Sequence, residues 1–342
     1  MHRPLRLRLD RAALAANWRW LAATAGTAAG AAVKADGYGL GARAVTEVLA
    51  EAGCRDFFVA TWDEAAQLGP LPDGCSLSVL HGVGPDDVEA ALASGARPVL
   101  NSAEQVARWK EIAPDRACDL MVDTGMNRLG LRPEEVGVRG GIIVETVMSH
   151  LACADAEHPL NTLQLQHFRE VVGSVEAKRY SLANSAGVCL GRDYAFDLVR
   201  PGLALYGGIP RAEAVGKIAQ VAFPEAQVVQ RRMVPAGESV GYGATFGATR
   251  DTEIAVLSLG YADGYWRGFS GSGSATFAGA RLPLVGRVSM DLVAIDCGAA
   301  PDLREGDWVG IDYDLPTASA ASGMSQYELL TGLGGRFDRS PC

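Results

Sequence analysis

From the start of the chain to about residue 210, short apolar runs alternate with helix-like stretches, and this alternation strongly constrains the fold. The pattern repeats about eight times with a spacing of about 20 residues, which is typical of a (β/α)8 barrel of the TIM type. An open doubly wound sheet is the alternative, but it usually has fewer repeats. The predicted strands are Leu5–Leu9, Ala31–Ala35, Asp56–Ala60, Ser76–His81, Arg97–Leu100, Asp119–Asp123, Ile142–His150, Arg179–Ala183 and Leu198–Leu205. The clearest predicted helices are Arg11–Ala23, Ala42–Ala52, Ser102–Ile112 and Asn161–Val172.

One connection in this region is too short for a full helix. After the loop Asp123–Gly130, only Arg132–Gly141 leads to the next predicted strand. The sequence therefore predicts that one barrel helix is reduced to a turn there.

Beyond about residue 220 the pattern changes to strands in series, separated by turns rich in Pro, Gly and Asp. Such a series predicts a mostly-β domain. A boundary is expected within Pro210–Phe223, which gives a barrel at residues 1–215 and a C-terminal β domain at 216–342. The predicted strands are Val228–Met233, Glu253–Leu259, Ala275–Phe277, Leu282–Val288, Val293–Cys297 and Asp307–Tyr313.

Charge and cysteine content narrow the class of protein. The net charge of −9 argues against a general nucleic-acid binder, because phosphate neutralisation needs a basic surplus. No run approaches the roughly 20 apolar residues of a membrane-spanning helix. The seven cysteines are scattered and include no C-x-x-C pair, which indicates a reduced compartment and a cytoplasmic protein with no structural metal site.

Lysine is scarce, and this makes one lysine informative. Only Lys34, Lys110, Lys178 and Lys217 occur among 31 basic residues. Lys34 ends an apolar strand, and the carboxyl ends of barrel strands face the active site. An amine in such apolar surroundings should have a lowered pKa and be competent to form a Schiff base. A lysine that extends from a strand end into solvent is an equally good interpretation from position alone.

The run Ala-Val-Lys-Ala-Asp-Gly-Tyr-Gly-Leu-Gly at Ala32–Gly41 resembles the pyridoxal phosphate attachment motif of alanine racemases. The similarity extends over nearly the whole chain and is specific, because every further marker follows in family order. Those markers are Val122–Gly130, Ser149–Asp155, Ala183–Ala186, Val199–Gly207, Gly241–Phe246, Gly260–Gly264 and Gly286–Asp291.

The resemblance implies an enzyme that interconverts L-alanine and D-alanine and supplies D-alanine for peptidoglycan. Racemisation passes through a planar carbanion, so two bases must exchange protons on opposite faces while pyridoxal phosphate acts as the electron sink. The family implies that Lys34 handles the proton of D-alanine. It also implies that Tyr242 handles that of L-alanine from the partner subunit, in a homodimer with shared active sites. Without the resemblance, a turn aromatic is the preferred interpretation of Tyr242.

The resemblance also assigns side chains to the cofactor and the substrate. Phosphate contacts are expected from Tyr38, Ser185, Gly202 and Leu203. Arg200 is expected to face the pyridine nitrogen, where a guanidinium cannot accept a proton.

Arg128 and Met290 are expected at the substrate, with support from His150 and Asp291. From its position alone, His150 is better interpreted as a hydrogen-bonded histidine at a strand end.

The chain departs from better-known family members at three positions. Met121 stands where many members carry a lysine whose carbamate steadies the arginine that matches Arg128, so Asn127 or a bound anion is expected to take that role. Ser181 stands where some carry a histidine that supports the arginine matching Arg200, and Gly335 replaces a tyrosine.

Three other functions fit parts of the sequence. A metal hydrolase would use His150, Asp155, His158 and His167, but their spacing does not match a helical metal motif. A non-catalytic carrier of pyridoxal phosphate shares the barrel but lacks the β domain. A racemase that acts on larger amino acids such as lysine or serine shares the whole fold. Tyr261 and Tyr265 are expected to narrow the entrance to the site in this chain, which favours a small side chain.

Overall fold

The computed structural model describes residues 2–339. These residues form two compact units. The first, here called the barrel unit, is Arg11–Ala219, and the second, the β unit, combines the described residues up to Asp10 with those from Gln220 onward.

The barrel unit contains a parallel sheet of eight strand positions. Its first strand is interrupted at Gly30, and its two halves pair with different neighbours: Ala28–Ala29 with the last strand and Ala31–Ala32 with the second. Hydrogen bonds from Arg200 N to Ala183 O and from Gly30 N to Val199 O, both 2.9 Å, join the seventh, eighth and first strands. The strands are Ala28–Ala29 with Ala31–Ala32, Asp56–Val59, Ser76–Val79, Arg97–Leu100, Cys118–Met121, Val144–Met148, Arg179–Ser181 and Leu198–Val199. The predicted TIM-type barrel is confirmed.

Helices alternate with the strands of this sheet along the chain. The α-helices are Arg11–Ala25, Ala42–Ala52, Trp62–Leu68, Val88–Ala93, Ala103–Ile112, Pro159–Ser174 and Ser185–Cys189, and Lys34–Tyr38 forms one further turn. The 3-10 helices are Pro85–Asp87, Pro133–Arg139, Arg192–Tyr194, Leu203–Tyr206 and Ala212–Ala214. The 3-10 helix Pro133–Arg139 stands where a barrel helix was expected to shrink to a turn, so that prediction is confirmed.

The interior of the barrel is layered, because side chains alternate along each strand. A buried apolar cluster fills the middle and consists of Phe58, Val99, Met121, Met148 and Leu198. Near the amino ends of the strands the interior is ionic. There Arg179 binds both oxygens of Asp56 at 2.7 and 3.0 Å, and Arg97 lies 3.5 Å from the fully buried Asp119. The apolar cluster therefore separates this ionic layer from the carboxyl ends, where Lys34 lies.

The β unit is an antiparallel barrel. Ala222–Val234 is its longest strand, and it pairs with both Thr252–Leu257 and Trp308–Ile311, which closes the sheet. The strands are Leu5–Leu9, Ala222–Val234, Ser239–Val240, Phe246–Gly247, Thr252–Leu257, Ser274–Phe277, Ala280–Val285, Val293–Asp296 and Trp308–Ile311. The α-helices are Leu315–Ser322 and Gln326–Thr331, and the 3-10 helices are Tyr242–Ala244, Tyr261–Asp263 and Arg267–Phe269.

The expectation that Leu5–Leu9 is a strand is confirmed, but its place in the parallel barrel is wrong. The strand pairs antiparallel with Ala222–Ala226 and belongs to the β unit. Backbone hydrogen bonds of 2.8 Å also join Leu7 N to Asp338 O and Asp338 N to Leu5 O. Because the segment comes just before the first predicted helix of the barrel, it was expected to be a strand of that barrel. Its alternating Leu and Arg side chains instead suit an antiparallel sheet with one buried face.

None of the helices among residues 2–339 has the length and apolar character needed to cross a membrane.

Candidate active site

Lys34 lies at the carboxyl end of the first barrel strand, two residues after Ala32. Its side chain is half-buried. Burial lowers the pKa of Lys34 below its ordinary value, the charge of Arg128 lowers it further, and Glu64 acts in the opposite direction. A lysine in solvent would have no such shift, so the surroundings favour the nucleophilic interpretation.

The four residues after Lys34 wind in the left-handed sense. Ala35, Asp36, Gly37 and Tyr38 have φ of +51°, +51°, +62° and +56°. This conformation costs about 1–2 kcal/mol for each residue that has a Cβ, so the surrounding structure must hold the turn in place. Gly37 is needed for a second reason, because a Cβ at this position would lie 3.0 Å from the backbone of the next helix.

Tyr38 is held in a close-fitting pocket. Its ring stacks on Tyr206 with a centroid separation of 4.5 Å, and the Tyr206 hydroxyl donates a hydrogen bond to Ala32 O at 2.8 Å. A Cβ at Gly202 would overlap the Tyr38 hydroxyl oxygen. Only glycine at residue 202 therefore leaves space for the Tyr38 hydroxyl beside the loop backbone.

Ser185 and the loop that begins at Gly202 converge. The buried Ser185 hydroxyl oxygen accepts hydrogen bonds from Gly202 N at 2.9 Å and Ala204 N at 3.2 Å, so its own hydrogen remains available to donate. Leu203 is buried and begins the 3-10 helix that follows. Because the Gly202 and Ala204 N–H groups already donate to Ser185, the hydrogen of the Ser185 hydroxyl is the donor that this pair of contacts offers where phosphate contacts were expected, and a hydroxyl donor suits an anion.

Arg200 is buried inside the barrel unit and is not part of a surface ion pair. It donates to Ser149 O at 2.5 Å and to the Ser181 hydroxyl, which itself donates to Leu198 O. Burial lowers the pKa of Arg200 to about 10. Ser181 therefore supports Arg200 through a hydrogen bond to its guanidinium.

Arg128 is exposed in the loop that follows the fifth barrel strand. Within residues 2–339 the structure gives its guanidinium no hydrogen bond or ion pair. The Asn127 amide instead donates to Gly125 O at 3.5 Å, and Met121 packs in the apolar cluster. The hypothesis that Asn127 steadies Arg128 thus finds no hydrogen bond to support it.

His150 follows the sixth barrel strand and lies among cations. Burial is the main cause that lowers the pKa of His150 to about 3. The positive charges of Arg200, Arg128 and Lys34 act in the same direction. His150 is therefore a neutral imidazole at physiological pH, able to donate from one nitrogen and accept at the other.

The remaining predicted site residues lie in the β unit and are exposed. Tyr242 is 72% exposed and Met290 is 53% exposed. Tyr242 begins a turn between Gly241 and Gly243, whose φ values are +78° and +72°.

Asp291 is held by Arg336, which donates to its Oδ1 at 2.7 Å. Arg336 also binds both oxygens of the fully buried Asp263 at 2.5 and 2.7 Å, and this pairing ties Asp291 to the core of the β unit.

The structure also bears on the predicted entrance residue Tyr265 and on the metal-hydrolase hypothesis. Tyr265 is buried and stacks on Phe269 at 4.3 Å, so the prediction that it narrows an entrance is wrong. Of the histidines in the metal-hydrolase hypothesis, His158 accepts from Leu160 N at 3.1 Å and His167 lies 3.1 Å from Thr124 O. No group of three potential metal-ligating side chains occurs among the described residues.

Sequence reasoning missed the contribution of Glu64. One of its oxygens accepts from Ala35 N at 2.8 Å and the other from Ala60 N at 2.6 Å. Glu64 stands three residues after Thr61, whose hydroxyl caps the helix Trp62–Leu68. The Thr-x-x-Glu spacing indicates only a helix cap, in which the glutamate bonds to the cap residue itself.

Comparison with known proteins gives matches over nearly the whole chain. The family models described as "Alanine racemase, N-terminal domain" and "Alanine racemase, C-terminal domain" match residues 9–210 and 221–341. An alanine racemase from Rhizobium meliloti is 44% identical over 98% of this chain and 96% of its own length. A catabolic alanine racemase from Agrobacterium fabrum is 42% identical over 98% of this chain and 91% of its own.

A solved structure agrees with these matches. The crystal structure of alanine racemase from Bartonella henselae with covalently bound pyridoxal phosphate has a TM-score of 0.88 and 37% identity, over 98% of both chains.

The parallel barrel with Lys34 at its carboxyl end, together with the β unit, defines an enzyme of the amino-acid racemase class. The chain belongs to the alanine racemase family. The match of the second domain speaks against the carrier hypothesis, which requires a protein without the β domain.

Proposed function

We propose that this chain interconverts L-alanine and D-alanine by a two-base mechanism, with pyridoxal phosphate held covalently on Lys34. The observation that carries the proposal is the placement of Lys34. Its amine has a lowered pKa and lies at the carboxyl end of the parallel barrel. The bound coenzyme would withdraw electrons from the α-carbon after a proton leaves.

The residues present fit this coenzyme. Space beside the Tyr38 hydroxyl exists only because residue 202 is glycine, and Ser185 supplies a hydroxyl donor at the same loop. Tyr38, Ser185, Gly202 and Leu203 would hold the phosphate. Arg200, fixed by Ser149 and Ser181, would face the pyridine nitrogen.

In this proposal Lys34 takes or returns the α-proton on one face, and Tyr242 of a second copy does so on the other. Arg128 binds the substrate carboxylate, with Met290 of the second copy beside it. Tyr242 and Met290 are exposed, which leaves both side chains accessible to a second copy. A phenol needs nearby cations to act near neutral pH, and the barrel of the second copy would supply them. Neutral His150 would hydrogen-bond this phenol, and Asp291 would support the loop that carries Met290.

Substrate identity is tested by supplying the full chain with pyridoxal phosphate and comparing turnover of alanine, serine and lysine. We expect alanine to be turned over fastest. Faster turnover of lysine would contradict alanine as the substrate and favour a racemase of broader specificity. That second candidate gains some support from the burial of Tyr265, which removes one side chain expected to narrow the entrance.

Supply of D-alanine for peptidoglycan is part of the proposal. It is tested by asking whether loss of the enzyme creates a requirement for added D-alanine. Growth without it would favour a catabolic role.

Arg200→Glu tests the role of the arginine. A guanidinium cannot accept a proton, whereas a carboxyl group could hold one at the pyridine nitrogen and strengthen electron withdrawal. We expect the fraction of turnovers that end in pyridoxamine phosphate to rise by about tenfold or more. Arg200→Gln is the matched control, because it removes the cation without adding an acid. An equal product ratio in wild type and Arg200→Glu would contradict this role.

A further inference from the structure

The Glu64 side chain binds backbone N–H groups that follow the first and the second barrel strands. It lies in the helix Trp62–Leu68, yet both of its carboxylate oxygens accept hydrogen bonds from outside that helix. Oε1 accepts from Ala35 N at 2.8 Å, and Oε2 accepts from Ala60 N at 2.6 Å. Ala35 follows Lys34 directly, and Ala60 follows the second strand, Asp56–Val59. One side chain therefore ties the residue next to the amine to the end of the neighbouring strand.

The left-handed turn after Lys34, which Glu64 binds, needs contacts of this kind to hold its conformation. Its four residues have positive φ, and three of them carry a Cβ. Asp36 holds the far end of the turn, because its Oδ1 accepts from Ala42 N at 2.8 Å and its carbonyl oxygen accepts from Gly41 N at 2.9 Å. Glu64 holds the near end through the peptide that joins Lys34 to Ala35. The direction in which the Lys34 side chain leaves the backbone therefore depends on this carboxylate.

We propose that Glu64 is a positioning residue for the Lys34 amine: its carboxylate fixes the left-handed turn through two backbone hydrogen bonds and places a negative charge near the amine. This inference rests on the proposed function, in which Lys34 holds the coenzyme. Bonds from backbone N–H groups to a carboxylate are roughly twice as strong as bonds to neutral acceptors.

The charges around Lys34 oppose one another. Arg128 lowers the pKa of Lys34, in the same direction as burial, whereas Glu64 raises it. His150 is close enough to interact with Lys34, but with a pKa of about 3 it is uncharged at neutral pH. Removal of the Glu64 charge should therefore leave the effects of burial and Arg128 unopposed and lower the pKa of Lys34 further.

The test compares wild type with Glu64→Gln by the pH dependence of lysine acetylation. The full chain, freed of coenzyme, is treated briefly with acetic anhydride, and each lysine peptide is quantified by mass spectrometry. Only four lysines occur, so Lys110, Lys178 and Lys217 serve as controls within the same molecule. We expect the midpoint for Lys34 to fall by about 0.5 to 1 pH unit while the other three stay unchanged. An unchanged midpoint in folded Glu64→Gln would overturn the electrostatic part of the inference.

Two further variants separate charge from position. Glu47→Gln removes a half-buried carboxylate that pairs with Arg43 at 2.9 Å, and it should leave the Lys34 midpoint unchanged. Glu64→Asp keeps the charge but is too short to reach both N–H groups. It should keep the midpoint within about 0.3 unit of wild type and lower kcat for alanine about tenfold, with KM little changed. Wild-type kcat in Glu64→Asp would overturn the positioning part, and this variant also serves if Glu64→Gln does not fold.

The acetylation result does not require racemisation. If wild type racemises alanine but Glu64→Gln shows no shift, only this inference fails. If wild type does not racemise any amino acid, the proposed function fails and the acetylation result still reports on Glu64.

Discussion

Replacing Lys34 with alanine is expected to abolish both coenzyme attachment and racemisation. Purified wild type supplied with pyridoxal phosphate should show an absorption band near the visible edge that borohydride removes, and Lys34→Ala should lack this band. Loss of the amine should lower kcat by at least about 10³-fold, because both the covalent link and one base disappear.

Lys34→Arg sharpens this test, because it keeps a positive charge but cannot form the covalent link. It should therefore behave like Lys34→Ala. Lys217→Ala is the matched control, since Lys217 is an exposed lysine of the same unit, and it should retain the band and full activity. A borohydride-sensitive band in Lys34→Ala would mean that another lysine holds the coenzyme and would contradict the proposed function.

Replacing Tyr242 with phenylalanine is expected to remove proton exchange from one face only. With α-deuterated substrates, loss of deuterium from L-alanine should slow by about 10²–10⁴-fold, because the base on that face is gone. Loss of deuterium from D-alanine should continue through Lys34, now without inversion. The variant should therefore exchange the proton of one enantiomer and racemise neither at a useful rate.

The control for Tyr242→Phe is Tyr327→Phe, which removes another exposed phenol hydroxyl from the β unit. It should leave both exchange rates unchanged. Equal slowing for the two enantiomers in Tyr242→Phe would contradict the two-base assignment. Mixing Tyr242→Phe with Lys34→Ala offers a further test of shared sites, since a mixed dimer would contain one site with both bases intact. Activity recovered on mixing would support a site built from two copies.

The sequence predicted most of the architecture, because periodicity reports directly on buried faces. The strand Arg97–Leu100 and the helix Ala42–Ala52 have the predicted bounds. Prediction failed where a feature depends on contacts distant in sequence. Leu5–Leu9 was expected in the parallel barrel, since nothing within five residues reveals a partner more than 200 positions away.

Side-chain roles were predictable to a lesser degree. A lysine at a strand end is visible in the sequence, but its lowered pKa depends first on burial and then on the charge of the distant Arg128. The left-handed turn after it could not be read from the sequence, because Ala35 and Tyr38 carry a Cβ that disfavours positive φ. Glu64 was hidden because its spacing from Thr61 matches a common local helix cap. Tyr265 was misjudged, since whether an aromatic faces a core or an opening is decided by packing.

The pairing of the first strand has a consequence for how the protein is made. Leu5–Leu9 leaves the ribosome before any of the barrel unit, yet the strand that pairs with it, Ala222–Val234, and the neighbouring Asp338 are synthesised much later. Until those residues are made, the nascent chain carries an unpaired segment of alternating leucine and arginine, and unpaired strands are prone to pair with another chain. The arginines on the polar face of this segment carry like charges, which oppose the association of two such segments from different chains.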